Sequence, residues 1–348
     1  MTDIPRRGLG RLLTIGLTAV CLALSGCGSA GDSGGGSRES LRVGSFFGNM
    51  VDLPAMVADK MGYFADEGLD VTFTDFASAP DGMAAVLGGS IDVAPNNTLT
   101  QLVAAKKATG SNKLSQVWPI QMIGNWQLVG RDIDASQDLK SKLASLKGRT
   151  IGVPAIGSNG QAAAEMMLEY AGLNPGKDVT FLAVGLGPQA LSAFSSKRID
   201  AVMGTQPITS LFTDQGAQII YDIGSQTEIP GLSPFHMSSY TTTLKRADEK
   251  ASALEKMSRA LDRALEYIRD PKNEDSVADI WSAKLSTVSK AGLKQVVKVY
   301  GRTLTGRFDC QALANQANLG VKVGQLTAAD VPDCQAMVWP GAKSYIAK

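Results

Sequence analysis

The sequence predicts an α/β protein built as two similar lobes, and three observations carry that prediction. Short apolar runs alternate with helix-sized segments of about ten residues between positions 41 and 108, an alternation that calls for parallel β-α-β units. The same alternation returns between 150 and 203. The two stretches also share a signature: Gly89-Ser90-Ile91-Asp92-Val93-Ala94-Pro95 and Lys197-Arg198-Ile199-Asp200-Ala201-Val202-Met203 each set Ile-Asp at the head of an apolar strand directly after a helix.

The elements follow in order. Residues 41–46 alternate as a first strand, 52–62 form a helix closed by Gly62 ahead of Tyr63-Phe64, and 69–73 are a second strand. A helix over 80–87 starts at Ser78, carries Pro80 in its first turn and stops at Gly88-Gly89. A third strand covers 91–94 and a third helix 98–108. In the second half, 150–154, 179–183 and 199–203 read as strands, and 159–171 and 188–195 as helices. From 251 to 269, Leu254, Met257, Leu261, Leu265 and Ile268 recur at helical spacing up to Pro271, and further helices lie around Trp281 and over 293–300. This helical tail is expected to pack back on the first lobe.

A chain of 348 residues is long for a single core, which agrees with two lobes. Its first 26 residues have the form of an export signal: Arg6, Arg7 and Arg11, an apolar run over 12–24, then small residues. The apolar run falls short of the roughly 20 residues that a membrane-spanning helix needs. Leu24-Ser25-Gly26-Cys27 resembles the lipobox of bacterial lipoproteins, which implies cleavage before Cys27 and a palmitate-type lipid anchor on its sulfur. Anchoring by two or three acyl chains holds a protein stably to a bilayer, where one chain binds marginally. The protein is thus expected outside the cytoplasm, on the periplasmic side or the cell surface, exported by the Sec route or, given Arg6-Arg7, by the twin-arginine route.

Removing residues 1–26 takes three Arg and one Asp from 34 basic and 33 acidic residues, leaving 31 and 32, a net charge near −1. Such a balance gives nucleic acid nothing to hold. Residues 27–40, rich in Gly and Ser, read as a flexible tether. Cys21 leaves with the signal, so Cys310 and Cys334 remain as a pair in an exported body, where a disulfide is the expectation.

A resemblance now becomes specific. Gly62-Tyr63-Phe64-Ala65-Asp66-Glu67-Gly68-Leu69-Asp70-Val71, then Gly89-Ser90-Ile91-Asp92-Val93-Ala94, Leu146-Lys147-Gly148-Arg149-Thr150-Ile151-Gly152-Val153, Gly157-Ser158 and Ile199-Asp200-Ala201 together resemble the nitrate, sulfonate, taurine and thiamine-precursor group of solute-binding proteins. The resemblance covers residues 41 to about 225. It implies a periplasmic-binding-protein-like fold, two lobes joined by a hinge with two chain crossings, that closes over a small solute and hands it to the permease and ATPase of an ATP-binding-cassette importer. Crossings near 126–132 and 234–240 divide the chain into lobe 1, residues 41–128 plus 238–348, and lobe 2, residues 129–237. A monomer with no cofactor and no metal is expected.

Ligands in open α/β sheets bind beyond the carboxyl ends of the strands, where helix N-termini also point. That rule selects the loops carrying Phe46, Phe47, Asn49, Ser78, Asn96, Asn97, Thr98, Trp126, Gly157, Ser158, Thr205 and Gln206 as ligand-binding candidates. These loops hold hydroxyls, amides and glycines and no Lys or Arg. Helix N-termini supply unpaired N–H donors and about half a positive charge, so a small organic anion of the sulfonate, taurine or carboxylate type can be held without a cation. Ser158 with Gln161, and Thr98 with Gln101, also fit capping boxes, while Asn96 and Asn97 fit turns. Asp92 and Asp200 are expected to make hydrogen bonds within their lobes. Met203-Gly204-Thr205-Gln206-Pro207 departs from the aromatic-acidic sequence of sulfonate binders in this group, which keeps an aromatic carboxylate or a pyrimidine solute open as the alternative.

An enzyme is not expected. His236 is the sole histidine, with no recognisable nucleophile motif beside it, and no H-E-x-x-H, Walker A or zinc-ligand spacing occurs. Pyrimidine-synthase enzymes related to this fold use a cysteine-rich motif that the chain lacks. A sensor that presents solute to a membrane receptor is the alternative of another class.

Overall fold

The computed structural model describes residues 38–46, 48–106, 113–121 and 123–348. The export signal, Cys27, the tether as far as residue 37 and Phe47 lie outside the described residues. The tether as read from sequence ends too late: Glu39 and Ser40 already pair with Leu69 and Asp70. Two polar residues there alternate with the strand, and the pairing extends through them.

Ten strands among the described residues form sheets of two, three and five strands, and a bridge joins the two smaller ones into a first composite sheet whose plan matches the second. In chain order they are β1 (Glu39–Ser45), β2 (Leu69–Asp75), β3 (Ala94–Asn96), β4 (Leu114–Gln121), β5 (Trp126–Gly130), β6 (Thr150–Val153), β7 (Thr180–Ala183), β8 (Ala201–Thr205), β9 (Gln218–Asp222) and β10 (Ser238–Thr243). β1 pairs β2 in parallel and touches the third segment through a parallel Val43–Val93 bridge, while β10 lies antiparallel between β3 and β4. The spatial order is therefore β2-β1-β3-β10-β4. The second sheet runs β7-β6-β8-β5-β9, parallel through β7-β6-β8 and antiparallel through β8-β5-β9. Each lobe thus winds three parallel strands and takes in one antiparallel strand as the chain arrives from the other lobe.

The repeated Ile-Asp is the joint of this plan. Asp92 accepts the amide of Arg42 at 2.9 Å and Asp200 accepts the amide of Thr150 at 2.8 Å, in each case tying the third strand segment to the first strand of its lobe. Arg42 and Arg246 add ion pairs at 2.7 and 3.4 Å, so although burial alone would raise the Asp92 carboxyl, the Arg42 bonds hold it below the usual range. The third strands begin later than the apolar runs indicate, at Ala94 and Ala201, because Asp92 and Asp200 turn aside to make these bonds.

β5 belongs to the second sheet over its whole length, pairing with β8 and β9, while β10 pairs with β3 and β4. Trp126 is the first residue of that strand and not a connector: period-two alternation marks the strand but not the sheet that takes it. The helix Ala251–Arg269 buries Leu254, Met257, Leu261, Leu265 and Ile268 and packs on the helix Leu53–Lys60 and on β1 and β2. Cys310 and Cys334 are bonded to each other. No helix among the described residues is long and apolar enough to cross a membrane.

Candidate functional site

The loops after β1 and β7 and the end of β3 meet at a chamber of about 30 Å³. That is room for one or two water-sized groups. Phe46 and Asn49 reach it from the loop after β1, Asn96 and Asn97 from the end of β3, Trp126 from the start of β5, and Ser238 from the start of β10.

Local structure explains each placement. The buried carboxylate of Asp52 accepts the amides of Phe46 at 2.8 Å and Gly48 at 3.0 Å, and the Trp281 indole donates to the Gly48 carbonyl at 2.6 Å, so the loop holding Phe46 and Asn49 is clamped from two sides. Burial pushes Asp52 up to about 7, helped by the charge of Asp75, against the two amides that pull it down. Asn97 caps the helix Thr98–Ala105 by accepting the Thr100 amide at 2.9 Å. This replaces the expected Thr98–Gln101 capping box. Asn at the preceding position takes the cap, and Thr98 becomes the first helical residue.

The freed Thr98 hydroxyl turns to His236. His236 Nδ1 accepts the Thr98 amide at 3.1 Å and lies 2.8 Å from the Thr98 hydroxyl, and its Nε2 lies 3.1 Å from Ser239 Oγ. An amide donor on Nδ1 makes the ring neutral with its proton on Nε2. Burial drives the imidazole down to about 3. Ser239 passes the chain on to Gln116 at 2.8 Å, and Gln116 to Gln101 at 2.7 Å. The sole histidine is a fastener between a helix start and β10, with both nitrogens engaged.

The chamber wall holds polar atoms without a partner among the described residues: Asn49 Oδ1, both amide atoms of Asn96, Trp126 Nε1 and Ser238 Oγ. All four residues are buried. Buried polar atoms normally find partners, since each left alone costs about 1–3 kcal/mol. Four such residues line one small space, and they hold donors in the Asn96 amide, the Trp126 indole and the Ser238 hydroxyl. No Lys, Arg, Asp or Glu lines it among the described residues. Across its margin Asn49 Nδ2 donates to Thr205 Oγ1 at 2.5 Å, the Leu186 amide to the Ala77 carbonyl at 3.1 Å and Asn125 Nδ2 to the Gln206 carbonyl at 3.1 Å, each linking residues of the two lobes or the passage between them.

Of the candidates read from sequence, Phe46, Asn49, Asn96, Asn97 and Trp126 meet on this wall. Ser78, Thr98, Gly157, Ser158, Thr205 and Gln206 do not line it. Ser78 caps the helix Ala79–Leu87 through the Asp81 amide, and Ser158 caps the helix Asn159–Tyr170 through the Gln161 amide, both at 3.3 Å. Gln161 answers with its Oε1 on the Gly157 amide at 2.8 Å, one residue outside the reciprocal bond of a capping box. Thr205 serves as the partner of Asn49, and Gln206 Nε2 donates to Gln127 Oε1 at 3.0 Å. Val51, Met237 and Ser238 escaped sequence reading; Ser238 sits where the returning chain enters β10, a position that only the second crossing identifies.

A groove of about 570 Å³ belongs to the first lobe alone, between the helix Leu53–Lys60, β2 and the helix Glu274–Ser282. It lies outside the space between the sheets.

Residues 34–282 match the model of the NMT1-like family. The chain belongs to the NMT1-like family. The binding protein YtlA of Bacillus subtilis (strain 168) is 23% identical to this NMT1-like chain over 224 residues, and the match spans 64% of this chain and 64% of the length of that relative. Two solved structures superpose on most of it. The alkanesulfonate-binding protein SsuA from Xanthomonas axonopodis pv. citri, bound to MOPS, has a TM-score of 0.66 at 18% identity, covering 87% of this chain and 99% of the other. The periplasmic nitrate-binding protein NrtA from Synechocystis PCC 6803 has a TM-score of 0.68 at 15% identity, covering 84% and 83%. At these identities the likeness shows the fold: this NMT1-like chain has the two-lobed α/β fold of periplasmic binding proteins.

Proposed function

We propose that the protein is the extracytoplasmic solute-binding component of an ATP-binding-cassette importer and holds a small organic anion between its lobes. The observation that carries this reading is the chamber wall: neutral donors from both lobes, buried and without protein partners, converge where no side-chain charge competes. An oxyanion accepts several such bonds at once, and charge-assisted bonds of this kind are about twice as strong as neutral ones. Hydrogen bonds between the lobes then make closure depend on what the chamber holds. The alkanesulfonate and nitrate binders that share the fold support the ligand class. His236, with both nitrogens engaged in packing, supports a protein that binds and performs no chemistry.

Lipidation of Cys27 tethers this receptor to the membrane in the same reading, the permease and its ATPase are its partners, and it works as a monomer. The lobes divide between β4 and β5 and again between β9 and β10. The rings of Phe46 and Trp126 on the wall favour a second reading, in which the solute is a flat aromatic carboxylate or a pyrimidine whose polar group alone enters the chamber.

The test is thermal unfolding of the purified protein against alkanesulfonates, taurine, nitrate, aromatic carboxylates and pyrimidines. A true ligand at about a hundred times its Kd adds about 2.7 kcal/mol and shifts the transition upward. A panel that leaves the transition unmoved rejects the ligand class.

A further inference from the structure

Next to the chamber lies a second hollow between the same two lobes, about 280 Å³ in volume. Phe46 and Leu186 line both spaces, so these two side chains are the partition between them. The character changes across that partition. Beyond it the wall is built mainly from Pro188, Leu191, Ile208 and Leu211 of the second lobe and Leu285 of the first, with Ser286 and Thr287 as its hydroxyl-bearing members and no buried polar atom in want of a partner. Lys284 is the charged residue on this wall among the described residues, and its ammonium is held by Asp75 at 2.7 Å.

We propose that this apolar hollow is a tail subsite for the solute whose polar head occupies the chamber, so that the cargo is an amphiphile with an alkyl or aryl body. The inference rests on the reading of the chamber as the head site. A space of about 30 Å³ takes a few atoms and no more, so an organic solute must continue past Phe46 and Leu186. The continuation leads into the larger hollow, and its leucines and isoleucine offer a tail nothing to hydrogen-bond and much to bury. Leu186 stands between two glycines, Gly185 and Gly187, of which Gly185 has φ +74, so the partition sits on the most adaptable backbone of that loop. Both lobes contribute to the subsite, hence a tail that fills it also favours closure.

The experiment is calorimetric titration of the protein with linear alkyl sulfonates and carboxylates, from one carbon to ten. Burial of each methylene should lower Kd about fourfold until the hollow is filled. Leu211→Asp and Leu191→Gln, at half-buried positions on the wall, should flatten that dependence and leave the Kd of the shortest homologue unchanged. The second, milder variant keeps the test informative if the first fails to fold. Short homologues that bind, with an affinity indifferent to length, would overturn the tail subsite and leave the head site standing. A steep series that neither variant alters would place the tail elsewhere and overturn it too. If no member binds, the head site falls and the tail subsite with it.

Discussion

Asn49 and Thr205 join the two lobes by a single side-chain hydrogen bond, Nδ2 to Oγ1 at 2.5 Å, with both residues buried. Asn49 follows the first strand of one lobe and Thr205 ends the third parallel strand of the other, so the bond exists only when the lobes are together. Its second atom, Asn49 Oδ1, stands on the chamber wall without a protein partner. One amide thus bonds the other lobe through its nitrogen and keeps its oxygen without a protein partner.

Thr205→Val keeps the shape and removes the acceptor. Solute affinity should fall about fivefold, the worth of a hydrogen bond near 1 kcal/mol. Titration calorimetry measures it, and unchanged affinity would show that the bond plays no part in closure.

Asn96 buries an amide whose nitrogen and oxygen both lack partners. Asn96→Val should raise stability by about 1 kcal/mol, because the unsatisfied amide is gone and a β-branched residue suits the strand, while solute affinity drops tenfold or more. Paired urea unfolding and titration test this trade. A variant less stable than the parent would mean that the amide is satisfied in the folded protein.

Ser158 presents the opposite case. Its hydroxyl accepts the Gln161 amide and does not reach the chamber. Ser158→Ala should cost about 1 kcal/mol of stability and leave affinity as it was. A loss of affinity at constant stability would move Ser158 into the site.

Asp52 and His236 impose opposite pH dependences. Burial raises Asp52 from 3.8 to about 7, so between those values the folded chain keeps a proton that the unfolded chain has released, and stability falls as pH rises. Burial lowers His236 from 6.5 to about 3, so there the unfolded chain holds the extra proton and stability falls as pH drops. Over the shared range the two offset. Relative to the parent, Asp52→Asn should gain stability with rising pH and His236→Gln should lose it, each by up to about 1.4 kcal/mol per pH unit. Urea midpoints between about pH 4 and 6.5 decide the matter; variant curves that run parallel to the parent would contradict the burial of these groups.

The helix starts were legible wherever the capping residue had one choice, as at Ser78 and Ser158. At Asn97-Thr98 two good caps stand side by side, and sequence chose the wrong one. Packing broke the tie: once His236 offers a nitrogen to Thr98, Asn97 is left to cap, and its neighbour Asn96 is left facing the chamber. The polar character of the site was readable for the same reason that its membership was not. Loops after parallel strands all carry small polar residues, and only some of them converge.

What the sequence alone determined is the α/β periodicity, the two similar halves with their paired Asp92 and Asp200, the cysteine pair and a set of neutral loops. These depend on residues near one another in the chain or on a repeated local pattern. Tertiary structure alone decided that β5 joins the second sheet, that Asn49 meets Thr205, that Ser238 arrives beside Asn96 and Trp126, and that an apolar hollow begins behind Phe46 and Leu186. Each of these brings together residues from distant parts of the chain. Their meeting is set by how two sheets come to rest against each other, and no local propensity encodes that distance.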